Sequence, residues 1–136
     1  MLERALILLL VALGIAVTYG LLRLWRVLKL RRLRADTPLA SLVPPGRPAV
    51  VAFSTPSCAE CYTRQAPALA RLAAALGDAV TIRSLSALEH PELIERMGIL
   101  TVPATVVVDA ASTVRHLNLG YASEARLYEQ VRRVVE

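Results

Sequence analysis

The first 36 residues differ from the rest in how apolar and polar positions alternate. From Ala5 to Leu22 no side chain is charged, and the run reads ALILLLVALGIAVTYGLL. As a helix rising about 1.5 Å per residue, these positions cover roughly 27 Å, close to the hydrocarbon thickness of a bilayer. Tyr19 and Trp25 lie near the C-terminal end, where aromatic rings favour the water–lipid boundary. A signal peptide has a shorter apolar region and a small-x-small cleavage site, and Thr18-Tyr19-Gly20-Leu21 makes a poor one. A core helix of a soluble domain keeps its apolar residues on one face. The pattern therefore predicts a transmembrane anchor over residues 1–36, spanning with residues 5–22.

Residues 37–48 follow with four prolines and a glycine, which read as a linker because proline fixes φ and removes a donor. Beyond it the chain becomes a series of short periodic segments. Val50–Phe53 is a brief apolar run, the mark of a buried strand. Ser54–Ser57 are turn formers. After Cys58 the apolar residues Ala66, Leu69, Leu72, Ala73 and Leu76 recur at steps of three and four, which predicts a helix ended by Gly77. Pro67 falls inside it and should kink it. Ala79–Arg83 reads as a second strand. A helix beginning at Ser86 or His90 runs to Met97, with Pro91 in its first turn and Gly98 beyond its end.

Ala104–Val108 is a third strand, rich in β-branched residues. Thr113–Leu117 is a fourth, joined to the third by a turn at Asp109–Ser112. Ser123 caps a last helix to Val135, with Leu127, Val131 and Val134 on its apolar side. The order β-α-β-α-β-β-α over residues 49–136 predicts one α/β domain.

Charge sharpens this division. The 136 residues carry a net charge of +5. Seven basic residues (Arg4, Arg23, Arg26, Lys29, Arg31, Arg32, Arg34) oppose only Glu3 and Asp36 in the first 36 positions. From residue 37 onward nine arginines balance nine acidic residues. The globular part has no excess positive charge with which to hold phosphates, so nucleic acid is not an expected partner. Cationic flanks tend to stay in the cytoplasm, and six of these cations follow the apolar run within 12 positions. That predicts a single-pass cell-membrane protein with its domain on the cytoplasmic side, the alternative being an extracytoplasmic domain. Leu24, Val27, Leu28 and Leu30 among the cations also suggest an amphipathic stretch able to lie on an anionic leaflet.

The candidate chemistry is Cys58-Ala59-Glu60-Cys61, whose cysteines are the only two in the chain. At the start of a helix, the first sulfur meets unpaired backbone amides and the positive end of the helix dipole, which favours its thiolate. The second, one turn on, can close on the first and release a mixed disulfide. Two thiolates are also half of a tetrahedral zinc shell, but His90 and His116 lack ligand spacing. His90 reads as a cap or surface residue, His116 as a half-exposed strand residue, and Tyr62 as packing or groove wall.

Over residues 38–136 the sequence resembles the thioredoxin superfamily. The resemblance rests on the strand Val50–Phe53, the C-x-x-C that opens a helix, Pro67, and Thr101-Val102-Pro103 before a strand. It implies a central mixed sheet flanked by helices, here in a membrane-anchored thioredoxin-domain protein. It implies a cis Val102–Pro103 bond lying against the disulfide, with the backbone of Val102 meeting the substrate chain. Gly120 matches a glycine near the substrate groove, and Ser57 stands just before the first cysteine. The implied activity is that of a protein dithiol–disulfide oxidoreductase, with Cys58 attacking and Cys61 resolving. Its partners would be protein dithiols or disulfides and an upstream reductase, with no bound cofactor or metal. The alternative is a redox-silent interaction module on the same fold. The chain departs from the family pattern in having Ser57 where tryptophan is usual, Ala52 where many carry a buried aspartate, and Ala59-Glu60 for Gly-Pro. A carboxylate between the cysteines opposes a thiolate, and Arg64 can offset it.

Overall fold

The computed structural model describes residues 1–135, with side chains described outside residues 33–36. By its internal contacts the chain divides into two compact units, Met1–Arg32 and Leu33–Glu136.

Helix α1 spans Leu2–Asp36 and contains the charge-free run of residues 5–22. Its segment Leu2–Arg32 is long and apolar enough to cross a membrane, and its most apolar window is not buried. Thr18 satisfies its own hydroxyl by donating to the Gly14 carbonyl at 2.9 Å. Near the end of the apolar run, the Lys29 ammonium lies 4.8 Å from the Trp25 ring centre. With 3.6 residues per turn, Arg23, Arg26, Lys29, Arg31 and Arg32 point to all sides of the axis. Residues 23–32 therefore form a cationic collar rather than the one-sided amphipathic strip that their leucines suggest.

The second unit is built on strands β1 (Ala49–Ser54), β2 (Thr81–Ser86), β3 (Ala104–Val108) and β4 (Val114–Leu119). Among the described residues they form one sheet in the order β2-β1-β3-β4. Strand β1 runs parallel to β2 and antiparallel to β3, and β3 and β4 form an antiparallel hairpin. The sheet is mixed, and its central strands β1 and β3 are buried along nearly their whole length. That is why they read as continuous apolar runs instead of alternating ones.

Helices α2 (Ala66–Leu76), α3 (Pro91–Met97) and α4 (Glu124–Val135) complete the unit. Val50, Ala52 and Val107 of the sheet meet Leu69 and Leu72 of α2 and Leu127 and Val131 of α4 in one apolar cluster. Fully burying a leucine such as Leu72 contributes about 1.5–3 kcal/mol. Val51 and Phe53 point to the opposite face by strand alternation and are also fully buried.

Four local features differ from the sequence pattern. The helix expected from Cys58 through Leu76 is divided: Cys61–Gln65 forms a π turn, with the Ala66 N–H bonded to the Cys61 carbonyl, before α2 begins. Pro67 falls in the first turn of α2, directly after this π turn. Strand β2 starts at Thr81, because residues Gly77–Ala79 make a short 3-10 turn. It reaches Ser86 in register with Ser54, which removes Ser86 as a helix start. His90 holds the N-cap position of α3, yet its side chain makes no capping hydrogen bond.

The fourth feature is the proline-rich segment 37–48. It contains no helix or strand, yet Leu39 and Val43 are buried. Arg47 donates to the Asp78 carbonyl at 2.9 Å, Gly46 to Ala110 at 3.0 Å, and Arg83 donates to the Leu42 carbonyl. Its apolar side chains and these hydrogen bonds pack it onto the domain instead of leaving it as a free spacer.

Candidate functional site

Strand β1 ends at Ser54 and the chain turns at once, with the Cys58 N–H bonded to the Thr55 carbonyl at 3.1 Å. The Ser57 and Thr55 hydroxyls stand 3.5 Å apart in this turn. Helical structure opens at Ala59, so Cys58 lies at a helix start. Cys58 and Cys61 are joined as a disulfide with their Cα atoms 5.4 Å apart, inside the range such a bond requires. The two sulfurs are not equivalent. Cys58 is half-buried, whereas Cys61 is only 4 % exposed. The Cys61 N–H also points at the Cys58 sulfur, 3.1 Å away. A backbone donor aimed there stabilises negative charge on that sulfur, as a helix N-terminus does.

Glu60 and Arg64 project from the same turn, with 3.5 Å between carboxylate and guanidinium. Both are largely exposed, so the pair is worth little in stability. The Arg64 guanidinium also lies 4.2 Å from the centre of the Tyr121 ring. Tyr62, on the same turn, is 56 % exposed.

The other candidate residues lie at the start of β3 and the end of β4. The Val102–Pro103 peptide bond is cis. Pro103 is buried and Val102 half-buried. Val102 lines a shallow depression of about 380 Å³ together with Thr55, Ala87, Ile94, Leu100 and others. Thr55 thus links Val102's surroundings to the Cys58 turn. Gly120 adopts φ +89°, a conformation that glycine takes without strain. Its N–H bonds to the Pro103 carbonyl at 2.9 Å. Ser57 is therefore brought beside Cys58 and Cys61, and Gly120 beside Pro103.

His116 is half-exposed on β4, and Ala52 is buried in the apolar cluster. Among the described residues no three His, Cys, Asp or Glu side chains gather as metal ligands. Sequence reasoning missed Gln65. Its side chain is buried, and its amide bonds both the N–H and the carbonyl of Ala122, at 2.9 and 3.0 Å. The one signal for it was a polar residue at a position where the helical pattern turns inward.

Fold and site together define a thioredoxin-like protein with a C-x-x-C disulfide. The thioredoxin of Alicyclobacillus acidocaldarius subsp. acidocaldarius is 30 % identical over 90 residues, which cover 66 % of this chain and 84 % of that one. The chain belongs to the thioredoxin-like superfamily, and its fold and cysteine pair are of the thiol–disulfide oxidoreductase kind. No family model matches it. Among solved structures, chloroplastic thioredoxin z superposes with a TM-score of 0.60 at 19 % identity, over 74 % of this chain and 87 % of that one. Thioredoxin-2, described as a component of the malaria parasite's protein secretion machinery, gives 0.58 at 15 % identity, over 64 % and 82 %. These two likenesses are of fold.

Proposed function

We propose that the chain is a membrane-anchored thiol–disulfide oxidoreductase that exchanges disulfides with protein partners through Cys58 and Cys61. The observation that carries this reading is the asymmetry of the pair: a half-buried Cys58, whose sulfur is bonded by an N–H, joined to a buried Cys61. The accessible sulfur is suited to meet a partner, and the buried one to act only within the chain.

In the dithiol form, the Cys58 thiolate attacks one sulfur of a partner disulfide. A new S–S bond forms, and the partner's other sulfur leaves as a thiolate. The Cys61 thiolate then attacks the Cys58 sulfur, and the partner's second sulfur leaves. The partner has gained two electrons, and Cys58–Cys61 has lost two and returned to a disulfide. A dithiol on an upstream reductase restores the pair by the reverse exchange, with no bound cofactor needed. Ser57, Val102, Pro103 and Gly120 form the partner's binding surface in this reading, with the Val102 backbone pairing with the partner chain. Residues 1–36 serve as the anchor, with 5–22 in the bilayer, 37–48 lead out of it, and 49–136 work on the cytoplasmic side.

The test is reduction of insulin by the full-length protein in detergent, driven by dithiothreitol. Wild type is expected to precipitate the insulin B chain well above the dithiothreitol background, and Cys58→Ser to fall to background. A wild type no faster than background, with Cys58 unreactive to alkylation at neutral pH, would instead favour a redox-silent module.

A further inference from the structure

Two contacts tie the Cys61–Gln65 turn to the loop between β4 and α4, and a third ties that loop to Pro103. Gln65 is 2 % exposed, and both ends of its amide are spent on Ala122. Arg64, the residue before it, places its guanidinium over the ring of Tyr121, the residue before Ala122. Gly120, one further back, donates to Pro103. The turn that delivers Gln65 is a π turn, an opened geometry found often where function requires it. A side chain serving only to fill the core would be apolar. An amide sunk there and committed to one backbone unit instead fixes a position, because its loss leaves a buried N–H and a buried carbonyl unpaired.

We infer that Gln65 is a positioning residue for thiol exchange, holding the Gly120–Ala122 loop against the Cys58–Cys61 turn as one wall of the surface that a partner's disulfide-bearing segment meets. This role rests on the exchange activity proposed above. Both ends of the Gln65 amide bond Ala122 and neither bonds a sulfur, so it governs how a protein partner docks and not how reactive Cys58 is. Docking and reactivity then separate in measurement.

The probes are insulin, as a folded-chain disulfide, and iodoacetamide, as a reagent too small to touch the loop. Full-length Gln65→Leu, with its thermal transition checked, is expected to raise KM for insulin about tenfold while kcat changes less than about twofold. Alkylation of reduced Cys58 is expected to stay within about twofold of wild type, since the Cys61 N–H is untouched. Gln65→Asn keeps both the donor and the acceptor on a shorter arm, so its KM should fall between those of wild type and Gln65→Leu. A folded variant with wild-type KM would overturn the inference. So would alkylation falling in step with insulin reduction, because Gln65 would then act on the nucleophile. Failure of both variants to fold would assign Gln65 to stability alone. A wild type inert toward insulin overturns the exchange activity itself, before any Gln65 variant is compared.

Discussion

Cys58 and Cys61 differ in burial, and the division of roles proposed from that difference can be tested one sulfur at a time. Cys61→Ser removes the resolving thiolate, so a mixed disulfide at Cys58 has no internal route to release. In membranes quenched with acid and alkylated, this variant should carry covalent adducts that disappear on reduction, as seen on non-reducing gels. The Cys58→Ser/Cys61→Ser double variant should carry none. Equal adducts in both would place the reactive thiol in the partners alone. The cysteines were legible in the sequence because their chemistry is local: a spacing of three, a turn before and a helix after. Gln65 was not, because its partner Ala122 lies 57 residues away. No pattern within a helix reports that distance. The opened turn at Cys61–Gln65 was equally hidden, since Pro67 signals that a helix changes but not where the extra room is made.

At the level of elements, apolar runs located β1 and β3 well because both are central. Strand β2 is only partly buried, at the edge of the sheet, so its pattern is weak and its ends follow pairing with β1 instead. The hairpin depends on Asp109, whose Oδ1 accepts the N–H groups of Ala111 and Thr113, each at 2.9 Å. Asp109→Ala is expected to cost about 1 kcal/mol, read as a lower urea midpoint with an unchanged slope. A heavier dependence lies where β4 meets α4. Asn118 donates to Thr105 at 3.1 Å and to Gln130 at 2.8 Å, and accepts from Gln130 at 2.9 Å. Asn118→Leu strands the Thr105 hydroxyl and the Gln130 amide in a mostly buried site, so its cost should be roughly 2–3 kcal/mol. An Asn118→Leu midpoint shift no larger than that of Asp109→Ala would mean that the network is weaker than its geometry implies.

At the scale of the whole chain, the charge division of the sequence carries the argument about the membrane. The domain's charges balance and the collar's do not, so in the anchored protein proposed above the field that sets orientation would come from residues 23–34. Alkaline carbonate should leave the full chain in the membrane pellet. Leu10→Arg with Ile15→Arg should move it to the supernatant, because each arginine near the middle of a span costs about 2.5–3.5 kcal/mol on insertion scales. Orientation follows from the collar. Six cations on one side against Arg4 on the other favour holding the C-terminal side in the cytoplasm. Protease added to intact cells should then spare the domain, and the same protease after lysis should digest it. Replacing Arg23, Arg26, Arg31 and Arg32 with glutamine removes most of the asymmetry while leaving the domain and its cysteines untouched. That variant should become partly digestible in intact cells. A wild-type domain digested in intact cells would put Cys58 on the outer face, where the dithiol form would meet an oxidising environment and the partners would be exported proteins.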